Sequence, residues 1–148
     1  MIRQVHVASR AGRLPLARHR VAALAQRVLR AEGVRAAELS ITFVSAPAIA
    51  RLNARHLGHA GPTDVIAFPF GPARAGAPVM GDVYIAPAVA RINAARYGVG
   101  VREELARLVV HGTLHVLGHD HPADHTRAAS PMWRRQERLL ARAQETWR

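Results

Sequence analysis

The stretch VREELARLVVHGTLHVLGHDH, residues 101–121, decides how the rest of the chain is read. Leu105, Leu108, Val109, Leu114, Val116 and Leu117 recur at helical spacing around much of the circumference, which predicts a largely buried helix from Val101 or Arg102 to Leu117. Glu103 and Glu104 fall near its N-terminus, where negative charge suits the helix dipole. Gly118 ends it and is able to take the left-handed conformation that turns a chain back after a helix. Positions four apart share a helix face, so His111 and His115 can direct their imidazoles at a single ion. The turn at Gly118 then brings His121 round as a third ligand.

A lone buried histidine is usually a hydrogen-bonded core residue, but three in the pattern H-x-x-x-H-x-x-G-x-x-H describe a metal site. Three neutral nitrogen donors leave the fourth tetrahedral position open, the arrangement of a catalytic zinc whose bound water is acidified to a pKa of about 7. The spacing is that of the metzincin proteases with one change: Gly112 stands where their general-base Glu would be. Metal binding is expected to survive that change and peptide hydrolysis is not. With no cysteine in the chain, Cys-type zinc sites, disulfides and thiol nucleophiles are excluded.

Outward from this helix, residues 2–8 and 38–45 alternate as strands, and residues 63–70 and 81–86 read as two more, so a four-stranded sheet is expected. Helical patterns cover residues 14–33 with Pro15 in the first turn, 47–57, 87–97 closed by Gly98, and 131–147. Asp120 is read either as a turn former or as an acceptor for a ligand N–H, and the turn is favoured. Asp64 and Asp82 are candidate structural or ligand-supporting carboxylates; Asp124 and His125 are read as surface residues. His56 and His59 lie in a loop that the sequence does not place relative to the metal.

The length of 148 residues and 49% hydrophobic content suit one domain spanning 1–148. No apolar run reaches the ~18 residues that cross a bilayer, and the N-terminus lacks the apolar core of a secretory signal, so a cytoplasmic location is the default expectation. The 21 basic residues are all arginine and outnumber 10 acidic ones, for a net charge of +11. Guanidinium groups match phosphate oxygens bidentately, which points to a polyanion partner. A GC-biased genome would also write such a composition, and a solvated helix face accounts for Arg18, Arg20, Arg27 and Arg30 as well as a binding surface does.

HGTLHVLGHDH at 111–121, PTDVIAFPF at 62–70, GDVYIA at 81–86, and Met132 with Glu137 in the last helix together resemble the YbeY family of bacterial single-strand-specific metallo-endoribonucleases. The resemblance covers most of the chain from about residue 40. It implies an α+β fold, a mixed sheet packed against helices with the metal-bearing helix at the centre. By carry-over, His111, His115 and His121 hold one zinc ion, with His111 counted as catalytic. It further implies action on single-stranded RNA and rRNA, including maturation of the 16S rRNA 3′ end and ribosome quality control. Its partners would be the ribosome or ribosomal proteins rather than DNA or a membrane. One position departs from the pattern. The family usually carries an arginine between an LN pair and the PT(D/N)V segment; counting from Leu52-Asn53 to Pro62-Thr63 places Leu57 there. Arg55, two positions earlier, is the substitute candidate for substrate binding, with Arg51 and Arg91 as further candidates. The same departure supports a second reading, a ribosome assembly factor whose zinc is mainly structural.

Overall fold

The computed structural model describes residues 2–70, 77–121 and 126–147. In chain order the elements are β1 (Arg3–Ser9), α1 (Arg18–Ala31), β2 (Ala37–Phe43), α2 (Ala46–Leu52), a π-helical turn (Asn53–Leu57), β3 (Val65–Pro69), β4 (Val79–Ile85), α3 (Pro87–Tyr97), α4 (Val101–Val116), a 3-10 turn (Arg127–Ala129) and α5 (Pro131–Glu145). The strands form one sheet in the order β1-β2-β4-β3. β1 and β4 flank β2 in parallel, and β3 closes the edge antiparallel to β4. The fold is therefore α+β with a mixed four-stranded sheet, as expected.

Alternation decides which side of the sheet is covered. In β2, Ala37, Leu39, Ile41 and Phe43 are buried on the face that α1, α4 and α5 cover, whereas Glu38 points away from them and is exposed. α1 meets that face with Val21, Leu24, Ala25, Val28 and Leu29, spaced three, four, seven and eight apart. Burial of each Val or Leu among them contributes about 1.5–3 kcal/mol. A smaller cluster of Val44, Ile49, Ile66 and Ala86 lies under α2. α4 is the hub: it touches α1, α3, α5, β3 and β4, and from Glu104 to Leu114 only Arg107 escapes full burial. A helix apolar nearly all round, as the sequence indicated, ends in the middle.

Three boundaries differ from the sequence reading. α1 starts at Arg18 rather than Leu14, because the preceding loop drops Leu16 wholly into the core and leaves Pro15 outside the helix. The helix expected over 47–57 is α for Ala46–Leu52 and then widens into the π-helical turn, capped at the front by Ser45, whose Oγ accepts from Ala48 N at 3.2 Å. β4 begins at Val79, two residues early, paired through Val79 with Ala37.

Candidate metal centre

The C-terminus of α4 is closed by two backbone bonds, Gly118 N–H to His115 O and His119 N–H to Leu114 O, both 3.0 Å, with Gly118 at φ +98°. This is a Schellman reversal, and φ there lies in the region open to glycine at no steric cost. It folds residues 119–121 back over the last turn, and Asp120 Oδ1 locks the bend by accepting from His121 N at 2.8 Å. The turn reading of Asp120 holds. A second tie comes from His119, whose Nε2 meets Glu32 at 2.6 Å while Arg135 donates to the same carboxylate. Burial pushes the Glu32 carboxyl up, but the hydrogen bonds and charges of Arg135 and His119 outweigh it and hold the group below its ordinary value.

The three imidazoles converge as a result. Ring centroids of His111, His115 and His121 are 4.6–5.0 Å apart, and His111 Nε2 stands 3.3 Å from His121 Nε2. Two nitrogens bound to one tetrahedral zinc are separated by about 3.3–3.4 Å, given Zn–N bonds of about 2.0–2.1 Å. One ligand atom from each ring lies within 4.8 Å of the others, so the group could hold a metal ion.

What lies behind His111 fixes its tautomer. Its Nδ1 is 2.5 Å from Gln136 Oε1, and Gln136 Nε2 donates to Glu137 Oε2 at 3.0 Å. Because the amide nitrogen faces a carboxylate, the amide oxygen must face the imidazole. Nδ1 therefore carries the proton and the Nε2 lone pair points to the centre. Glu137 is held in turn by Arg107, which also bonds Glu103 and Glu104. Burial first, then the charges of His115, Arg127 and His121, push the His111 pKa down to about 3 against the opposing bond from Gln136. His115 is lowered by burial and by His121. Both stay neutral, as a ligand must.

The histidines line a cavity of about 410 Å³ together with Asn53, Leu57, His59, Asp64 and Arg127, among others. His59 thus reaches the site, whereas His56 stacks edge-on against Phe68, on the strand face turned away from α4. Asp64 lines the cavity and accepts from Asn93 Nδ2 at 3.2 Å; Asp82 sits on the far face of the sheet, its pKa raised by burial. Leu57 contributes to the lining; Arg55 is exposed on the same π-helical turn and Arg51 and Arg91 are exposed on α2 and α3, none of them lining the cavity. Asp124 and His125 lie outside the described residues.

Gly112 faces the sheet. A Cβ built there would come within 2.5 Å of Val83 Cγ1 and 3.2 Å of Val83 Cγ2. The helix sits so close to β4 that any side chain at position 112 would force Val83, the helix or the strand to shift.

Known proteins resemble this chain over most of its length. A family model described as Endoribonuclease YbeY matches residues 6–144. The chain belongs to the YbeY endoribonuclease family. It is 39% identical over 147 positions to a protein named Endoribonuclease YbeY from Thermobifida fusca, with 93% of this chain and 92% of that protein covered. A like-named protein from Parafrankia sp. is 39% identical over 148 positions with the same coverage. In fold, the chain is similar to a Thermotoga maritima protein solved in solution, at a TM-score of 0.64 and 21% identity over 97% of this chain and 91% of that one.

Three residues of this YbeY-family site escaped the sequence reading. Gln136 had a visible signal, a polar residue on the stripe of Met132, Leu139, Leu140 and Ala143 that α5 buries. Arg107 had a weaker one, standing three and four residues after Glu104 and Glu103 on a buried helix. Arg127 had none, since only the tertiary fold brings its short turn beside α4.

Proposed function

We propose that this YbeY-family chain is a zinc-dependent, single-strand-specific endoribonuclease acting as one domain over residues 1–148. The observation that carries the reading is the convergence of three imidazoles on one point in an open cavity, with His111 Nε2 and His121 Nε2 3.3 Å apart. When bound there, zinc would supply Lewis acidity toward a phosphodiester oxygen and would acidify a water.

The protein's own residues do the rest. Gln136 and Glu137 hold His111 in the ligating tautomer. His111, His115 and His121 fix the centre at the wall of the open cavity. Peptide cleavage is disfavoured, because Gly112 supplies no carboxylate at the position of the protease's general base. The arginine-only charge of +11 draws a polyanion. Arg55, exposed on the π-helical turn, is assigned to the strand outside the cavity. Within this reading the substrate is rRNA, including the 16S rRNA 3′ end, the setting is ribosome quality control in the cytoplasm, and the partners are the ribosome or its proteins.

The test is metal analysis of the purified protein, then incubation of wild type and His111→Ala with single-stranded RNA. Bound zinc and cleavage lost in the variant are expected; a metal-free wild type, or equal cleavage by both, refutes the reading. Product ends separate two routes. A 2′,3′-cyclic phosphate means attack by the neighbouring 2′-hydroxyl and rules out direct hydrolysis by water as the sole route. His115→Ala that loses its fold together with RNA binding would instead support the assembly-factor reading.

A further inference from the structure

Two cavities meet at His111. The larger holds the three histidines; the smaller, of about 220 Å³, is lined by Tyr97, Glu104, Arg107, Trp133 and Gln136. His111, Asp64 and Arg127 line both. The two arginines of this region are in opposite situations. Arg107 is saturated by Glu103, Glu104 and Glu137. Arg127 has no ion pair and no side-chain hydrogen bond among the described residues, and its Nε is buried without any partner. Its guanidinium carbon lies 5.9 Å from the centroid of the Trp133 ring.

A buried guanidinium N–H without an acceptor is costly unless something supplies the acceptor. A guanidinium beside an aromatic face is also orientationally restrained, with less freedom to lose when it binds. Arg127 is the sole arginine lining the histidine cavity among the described residues, and the π-helical turn adds only the uncharged Asn53 and Leu57.

We propose that Arg127 is the phosphate anchor of this cavity, gripping the non-bridging oxygens of an RNA phosphodiester through its planar fork and so setting the strand's register on the three histidines. The inference rests on the endoribonuclease reading and adds to it which cation holds the substrate. Arg127 would bind the substrate rather than the metal: it lines the cavity beside the three histidines and supplies no lone pair to an ion there.

The experiment compares wild type, Arg127→Met, Arg127→Lys and, as a control for general charge, exposed Arg138→Met. A fluorescent oligouridylate is titrated into metal-free protein at several salt concentrations, where no cleavage interferes, and kcat and KM are then measured with zinc. Arg127→Met, which keeps the aliphatic contact with Trp133, is expected to bind at least tenfold more weakly. Its slope of log affinity against log salt should shrink by about one. Arg127→Lys should recover the slope but not the turnover, because a point charge attracts phosphate without orienting it. Arg138→Met should lose under threefold. Affinity and slope unchanged in Arg127→Met, with a lowered melting temperature, would overturn the proposal and make Arg127 a packing group on Trp133. If Arg127→Met fails to fold, the lysine variant decides: full turnover overturns the anchor. Wild type that binds RNA but does not cut it with zinc refutes the endoribonuclease reading while leaving the anchor standing on its binding data. Wild type that binds no RNA refutes both.

Discussion

Replacing Gly112 by alanine tests whether the packing of α4 on β4, rather than chemistry, keeps that position bare. The new Cβ would lie 2.5 Å from Val83 Cγ1, 3.2 Å from Val83 Cγ2 and 3.4 Å from Val65 Cγ2. Carbon–carbon contacts are comfortable at about 3.5–4.0 Å, so roughly 1 Å must be found. Val83 is β-branched and buried, so turning it away is itself costly. The helix or strand also has to yield, and an overlap of this size puts the overpacking cost in the upper part of its range, about 2–3 kcal/mol. Helix propensity offsets about 1 kcal/mol of this, because alanine is the better helix former. The expected net loss is about 1–2 kcal/mol in urea unfolding of the metal-free protein, with weaker zinc binding in a chelator competition as His111 shifts against Gln136. Val83→Ala alone should cost about 2 kcal/mol from two lost methyls and the space they leave. Combined, the two changes should cost at least about 1 kcal/mol less than their sum, because the new methyl occupies the vacated space. Strict additivity, or a Gly112→Ala protein as stable as wild type, would refute the steric account.

Gly81→Ala should be worse than Gly112→Ala, because its Cβ meets a backbone atom, Phe68 O at 2.9 Å, as well as Val116 Cγ1 at 2.6 Å; the same urea titration ranks the two. Gln136→Leu keeps the volume but frees His111 to take either tautomer, so zinc affinity should fall about 10–100-fold in chelator competition while the fold persists. Arg107→Met leaves Glu104 and Glu137 without their shared cation and should cost about 3 kcal/mol in urea unfolding, an amount that Glu104→Gln in the same chain would partly restore. Glu32→Gln should destabilise by about 1–2 kcal/mol at neutral pH. The Glu32 pKa is depressed on folding, so its contribution is present above the ordinary value of 4.5 and fades as pH falls through the depressed one; the variant and wild type should converge in acid-range unfolding curves.

Local pattern was enough for what is local. His111, His115 and Gly118 belong to one helix and its cap, so spacing alone placed them, and His121 followed because the reversal at Gly118 is short. The alternating strands and the all-round apolar character of α4 gave the sheet and its hub. The parts that were not legible depend on which distant segments meet. Arg127 and Gln136 reach His111 only because α5 packs on α4, and Glu32 reaches His119 across 87 positions of sequence. Attention to Arg55 followed from a pattern of positions in sequence, whereas the cavity lining is set by how the π-helical turn faces β3 and α4. The start of α1 was misplaced because Leu14 and Leu16 are apolar for a loop that dives into the core, a pattern that spacing cannot tell from a helical one.

The compactness of the ligand set along the chain bears on the thermodynamics of the holoprotein. All three imidazoles fall within eleven consecutive residues, two on successive helical turns and the third just past the cap. Closing so short a loop carries little entropy penalty, so an unfolded chain retains a usable chelating segment. An ion that binds both the native and the denatured ensemble stabilises folding only by the difference between the two affinities. Zinc should therefore raise the melting temperature by less than its affinity for the native protein predicts, and part of it should stay with the chain through unfolding.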